Sequence, residues 1–100
     1  MAKHVIWTKE AQNNRKDIFQ YFNERNQSSS YSKKLNNLFK DAIRQFSIFP
    51  SIGMQTDFKT VKSKIIKEYK IYYLVTENNI RILAIRDCRK NPDDLKYIFQ

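Results

Sequence analysis

The hydrophobic positions of this 100-residue chain repeat first at helical and then at strand spacing, which divides it into two parts. At the start, Lys3, His4, Val5, Ile6 and Trp7 predict a short strand, and Thr8 stands where a helix N-cap is expected. Ala11, Ile18, Phe19 and Phe22 are helically spaced and predict a helix over residues 9–25. Asn26, Gln27, Ser28, Ser29 and Ser30 form a turn whose serines can cap a second helix. Over residues 31–49, Tyr31, Leu35, Leu38, Phe39, Ala42, Ile43, Phe46 and Phe49 step by three or four. Lys33, Lys34, Asn36, Asn37, Lys40, Asp41 and Arg44 fill the opposite side. Pro50 ends this helix, and Gly53 follows in a loop. The short connection predicts that the two helices pack as an antiparallel hairpin.

The period then falls to two. Residues 56–62 predict a strand, residues 65–75 a longer one, Thr76, Glu77, Asn78 and Asn79 a turn, and residues 80–87 the return strand. Alternation places Tyr69, Ile71, Tyr73 and Val75 on one face, and Lys70, Tyr72, Leu74 and Thr76 on the other. The return strand is apolar on both faces, with Ile80, Ile82 and Ala84 set against Leu83 and Ile85. Such a strand is central and covered twice. The helical hairpin can cover one face, and something else must cover part of the other. Asn91, Pro92, Asp93 and Asp94 then mark a helix start, with Leu95, Ile98 and Phe99 as its apolar edge. The expected fold is α+β in the order β-α-α-β-β-β. An N-terminal strand and an antiparallel helical hairpin pack on a small antiparallel sheet, and a short C-terminal helix follows. Residues 1–100 make a single domain.

Composition agrees with a packed core, since 41% of residues are hydrophobic and only one is glycine. Charge adds a partner class. The net charge is +9, which favours anionic partners such as nucleic acid, an acidic protein segment or a lipid surface. Residues 1–60 carry ten Lys/Arg and five Asp/Glu, and residues 61–100 carry nine and five, so the charge belongs to the folded body rather than to a tail. Cys88 is the single cysteine, so no intrachain disulfide can form. With no signal peptide, this points to a reducing cytoplasm. No apolar run reaches the roughly 18–20 residues of a membrane span, so no membrane role is expected. One glycine excludes a phosphate-binding Gly loop, and one His with one Cys makes no metal site, so neither metal nor cofactor is expected. His4 reads as structural or exposed, and Cys88 as an ordinary thiol.

The basic residues around the sheet are the candidates for chemistry. Lys62 and Lys64 share a strand face, Lys70 lies on the next strand, Arg86 on the last, and Arg89 and Lys90 just beyond it. In a meander they can converge on one anion-binding patch. Such a patch suits a nucleic-acid backbone or a phosphate transition state, and equally a solvated edge that blocks aggregation. Tyr69 and Tyr73 read as core, whereas Tyr72 and Tyr97 are candidates for a surface role.

The run Tyr69-Lys70-Ile71-Tyr72-Tyr73-Leu74-Val75, the turn Glu77-Asn78-Asn79 and the run Ile80-Arg81-Ile82-Leu83-Ala84-Ile85 resemble the signature hairpin of RelE/ParE-type toxins, a plasmid-stabilisation type. Asp87-Cys88-Arg89-Lys90-Asn91-Pro92 stands where that family has a basic segment. The resemblance implies the toxin half of a type II toxin–antitoxin system that arrests growth and forms a hetero-oligomer with a cognate antitoxin. The antitoxin would cover Tyr72, Leu74, Leu83 and Ile85 on the second face of the sheet. RelE-like members act on the ribosome as mRNA endonucleases, and the resemblance implies phosphate-holding roles for Lys62, Lys64, Lys70 and Arg89, with Lys90 or Tyr97 assisting proton transfer. ParE-like members instead inhibit DNA gyrase and need no nuclease set. No His stands at the end of the last strand, and Lys70 replaces the usual Arg of the hairpin, which can grip phosphate bidentately where Lys cannot. Glu68 and Asp87 are the carboxylates available as a general base. RNA cleavage is the first expectation and gyrase inhibition the second. A non-catalytic nucleic-acid-binding module and a structural role in an assembly stand as further alternatives.

Overall fold

The computed structural model describes residues 2–88. Strand β1 (His4–Trp7) leads into helices α1 (Lys9–Asn26) and α2 (Ser30–Ile48), followed by a 3-10 turn (Pro50–Ile52). Strands β2 (Met54–Gln55), β3 (Val61–Ile66), β4 (Tyr69–Val75) and β5 (Asn79–Asp87) complete a five-stranded sheet in the order β1-β5-β4-β3-β2. The α+β class and the expected element order hold, with the two-residue β2 added. β1 lies parallel to β5 and the other neighbours are antiparallel, so the sheet is mixed. The C-terminal helix expected beyond residue 90 falls outside the described residues.

Local chemistry explains the helical layer. The Ala11 N–H donates to the Thr8 hydroxyl at 3.2 Å, which makes Thr8 the N-cap of α1, and that hydroxyl donates to the Ile82 carbonyl at 2.7 Å. The cap therefore starts the helix and fastens it to β5. Gln27, with φ 50, ends α1 in the left-handed conformation that commonly terminates helices. Leu35, Phe39, Ala42, Ile43 and Phe46 bury the α2 stripe against Ile71, Tyr73, Ile80 and Ile82 of the sheet. Phe49 belongs to the same stripe by spacing, yet it lies past the helix end and is 64% exposed.

The strand boundaries differ from the sequence pattern at two places. Residues 56–60 loop rather than extend. The Thr56 hydroxyl donates to the Val61 carbonyl at 2.8 Å and its oxygen accepts the Phe58 N–H at 3.1 Å, a local closure that competes with strand pairing. Residues 65–75 are not one strand, because the chain reverses at residues 67–68, with Lys67 at φ 59. Ile66 then faces Tyr69, and Lys64 faces Ile71. A two-residue turn thus pairs even-numbered positions of β3 with odd-numbered positions of β4.

A third difference lies inside β5. Tyr72 pairs with Ala84 and Tyr73 with Ile82, so Leu83 is an extra residue in a bulge. Beyond it the alternation is reversed. Ile85 turns into the core beneath the helices at 2% exposure, and Ala84 joins the other face.

The end of α2 is held to the sheet through Tyr73. Its ring stacks on Phe46 with centroids 4.1 Å apart and planes 13° apart. Its hydroxyl donates to the Pro50 carbonyl and accepts the Gly53 N–H, both at 2.9 Å. A Cβ at position 53 would overlap that hydroxyl, so Gly53 is required for the close approach.

Candidate functional site

The helices cover one face of the sheet, and the other face carries the candidate site. Register defines three rows across β3, β4 and β5 there. Val61, Leu74 and Arg81 form one, Ser63, Tyr72 and Ala84 the next, and Ile65, Lys70 and Arg86 the last. Phe58, from the loop before β3, packs with Leu74 and Leu83 against the buried cluster of Val61, Tyr72 and Ala84. This loop is the missing partial cover for the second apolar face. It leaves the Ile65–Lys70–Arg86 end open, and Ile65 is 51% exposed.

Lys70 and Arg86 are a cross-strand pair of like charges, an unfavourable neighbour relation in the absence of an anion. The Arg86 Nη2 pairs with Glu10 Oε1 of α1 at 2.8 Å. Its Nε is buried and has no hydrogen-bond partner among the described residues. The Lys70 Nζ stands 6.0 Å from the centre of the Tyr72 ring.

Burial pushes the Tyr72 phenol above its usual range, with Cys88 adding to the rise and Arg86 opposing it. Burial also raises Tyr73, and the Gly53 N–H opposes that rise. Neither tyrosine is thereby readied as a base. Both phenols hold their protons more tightly in the folded chain than in the unfolded one. Their contribution to stability is therefore complete below the unfolded value near pH 10 and is lost as pH rises through the folded values. Melting temperature is expected to fall above about pH 10, and less steeply in Tyr72→Phe. An identical decline in wild type and Tyr72→Phe contradicts this role of Tyr72.

The sheet separates the residues that the sequence grouped. Lys62 lies opposite Tyr73 and Lys64 opposite Ile71, so both stand on the helix-side face, away from Lys70. The Lys62 Nζ donates to Gln55 Oε1 at 3.4 Å along that edge. Arg89, Lys90 and Tyr97 lie outside the described residues. Of the apolar candidates, Leu74 and Leu83 are half-buried on the face away from the helices, and Tyr72 is buried among them. Ile85 is excluded from that strip, because the bulge turns it into the core. Arg86 is the cation paired with Lys70, and the sequence shows it only as one of several basic residues. Its signal was its place after the apolar run of β5, which becomes specific only once the register is known.

Among the described residues, no group of three or more His, Cys, Asp and Glu can hold a metal ion, and no helix is long and apolar enough to cross a membrane. The model of the family described as "ParE toxin of type II toxin-antitoxin system, parDE" matches residues 5–92. Among solved structures, the chromosomal ParDE TA system from P. aeruginosa contains a chain that is 13% identical, with a TM-score of 0.75 over 86% of this chain and 96% of that one. A chain of the YoeB dimer from Staphylococcus aureus is 14% identical, with a TM-score of 0.58 over 86% of this chain and 97% of that one. No curated protein matches significantly. At these identities the structural likenesses speak for the fold, and the family match, which spans the helical hairpin and the whole sheet, shows that the chain belongs to the ParE toxin family of type II toxin–antitoxin systems.

Proposed function

We propose that this toxin acts in the cytoplasm on DNA gyrase by binding rather than by cutting RNA, and that a cognate antitoxin neutralises it. One observation carries the choice of action. The sheet places Lys62 and Lys64 on one face and Lys70 and Arg86 on the other. The lysines expected to act together on one phosphate are thus divided, whereas a binding mode needs only the Lys70–Arg86 surface. The antitoxin is expected on the face of the sheet away from the helices. The apolar strip there, with Phe58, Leu74 and Leu83, suits an amphipathic segment, and Arg81, in the same row as Leu74, complements its acidic residues.

A ribosome-dependent mRNA endonuclease is the second reading. It is favoured by the orphan Arg86 Nε beside Lys70, a donor suited to a phosphate oxygen. Expression of the chain alone should arrest growth, and co-expression of a short reading frame beside its gene should restore it. The purified toxin should inhibit supercoiling by gyrase, and arrested cells should show gyrase-dependent DNA damage. Ribosome-associated mRNA cleavage with gyrase left active overturns the proposal in favour of the second reading.

A further inference from the structure

A groove of about 900 Å³ runs between α1 and α2, and every residue lining it comes from these helices. It therefore belongs to the helical layer and lies away from the Lys70–Arg86 face. Its chemistry is unusual for a helical seam. Of ten lining side chains, five are amides, three are cations, one is Glu24 and one is Phe19. The cations are Arg15, Lys16 and Lys40. Arg15 is held in place, with its guanidinium 4.2 Å from the centre of the Trp7 ring. The Asn36 Oδ1 is buried and has no hydrogen-bond partner among the described residues.

We infer that this groove binds single-stranded nucleic acid. The cations match a phosphate backbone. Amide side chains, which both donate and accept, match unpaired base edges. An acidic peptide fits less well, because its carboxylates only accept hydrogen bonds, whereas the five lining amides both donate and accept. Phe19 is the single apolar lining residue here, and no strand borders the groove. The inference is independent of the gyrase reading, since it concerns a different surface.

The test is fluorescence anisotropy of short labelled RNA and DNA single strands, and of a duplex, with the full-length chain across a range of salt concentrations. The salt dependence should weaken by about 0.7 in log–log slope for each lysine removed in Lys16→Ala/Lys40→Ala. Lys70→Ala/Arg86→Ala should leave the groove's share of the slope in place. Asn36→Leu should bind several-fold more weakly without a lower melting temperature. Duplex should bind less tightly than either single strand, and the two strand types report whether the ribose hydroxyl contributes. An unchanged slope in Lys16→Ala/Lys40→Ala overturns the inference. Displacement of the strand by poly-glutamate as readily as by unlabelled strand assigns the groove to an acidic peptide instead.

Discussion

Cells expressing the Lys70→Ala/Arg86→Ala toxin are expected to keep growing, while the protein still folds and still forms its antitoxin complex. The two cations are register neighbours across β4 and β5, so on the proposed reading they act as one anion-binding subsite rather than as independent charges. In a desolvated interface, losing one partner of a charge pair costs roughly 2–5 kcal/mol, or at least about a 30-fold loss of affinity for each cation. The cost to the fold is small. The ion pair lost with Arg86 has partly exposed partners, and such surface pairs contribute about 0–1 kcal/mol. Removing two like charges from adjacent positions also offsets part of that loss. Viable counts after induction, melting temperature and co-purification with antitoxin separate loss of action from loss of structure. Full growth arrest by the soluble double variant removes this surface from the mechanism. Lys62→Ala/Lys64→Ala supplies the contrast. It stays toxic if the toxin acts by binding through Lys70 and Arg86, and becomes harmless if all four cations serve RNA cleavage.

The second large effect is on stability, at the junction of α2, the 3-10 turn and the sheet. Phe46 is 1% exposed and lies flat against Tyr73. Phe46→Ala leaves a cavity there, with an expected loss of about 3–5 kcal/mol. A domain of this size has a total stability of about 5–15 kcal/mol and loses about 4–8 °C of melting temperature per kcal/mol, so the variant should melt at least roughly 12 °C lower. Gly53→Ala acts on the same junction by overlap instead of by a void. Its methyl meets the Tyr73 hydroxyl, and the ring has no room to swing because it is fully buried and stacked. The expected loss is about 1–3 kcal/mol. Adding Tyr73→Phe removes the oxygen that the methyl meets, so the Gly53→Ala/Tyr73→Phe pair should be less destabilised than the sum of the single variants. Thermal denaturation of the four proteins in this cycle decides the matter, and strict additivity would contradict the proposed contact.

The comparison of pattern with structure follows particular residues. The α2 stripe from Leu35 to Phe46 was legible because burial on one side of a helix imposes its period on the sequence directly. Thr8 was legible as a cap because its role depends on residues three positions away. The β4–β5 hairpin was legible for the same local reason, through its alternating faces and its Asn-rich turn. The chain reversal at Lys67 was not, because an Ile65–Ile66 pair on one side and Tyr69 on the other read as one continuous apolar run. That missed turn carried the error in the site, since it reversed which positions of β3 share a face with Lys70. The bulge at Leu83 had the same effect on Ile85.

The amino-acid order alone determined the α+β class, the helical hairpin, the signature hairpin and the basic character of the chain. Each depends on contacts between neighbours in sequence, or on a composition that needs no arrangement. The tertiary structure decided that β1 lies beside β5, that Phe58 covers part of the second sheet face, and that Lys70 lies opposite Arg86 while Lys62 and Lys64 stand on the other face. The physical reason is strand periodicity. Because side chains alternate with a period of two, a single turn or one inserted residue moves every later side chain to the opposite face, and pairing between strands reveals where that happens.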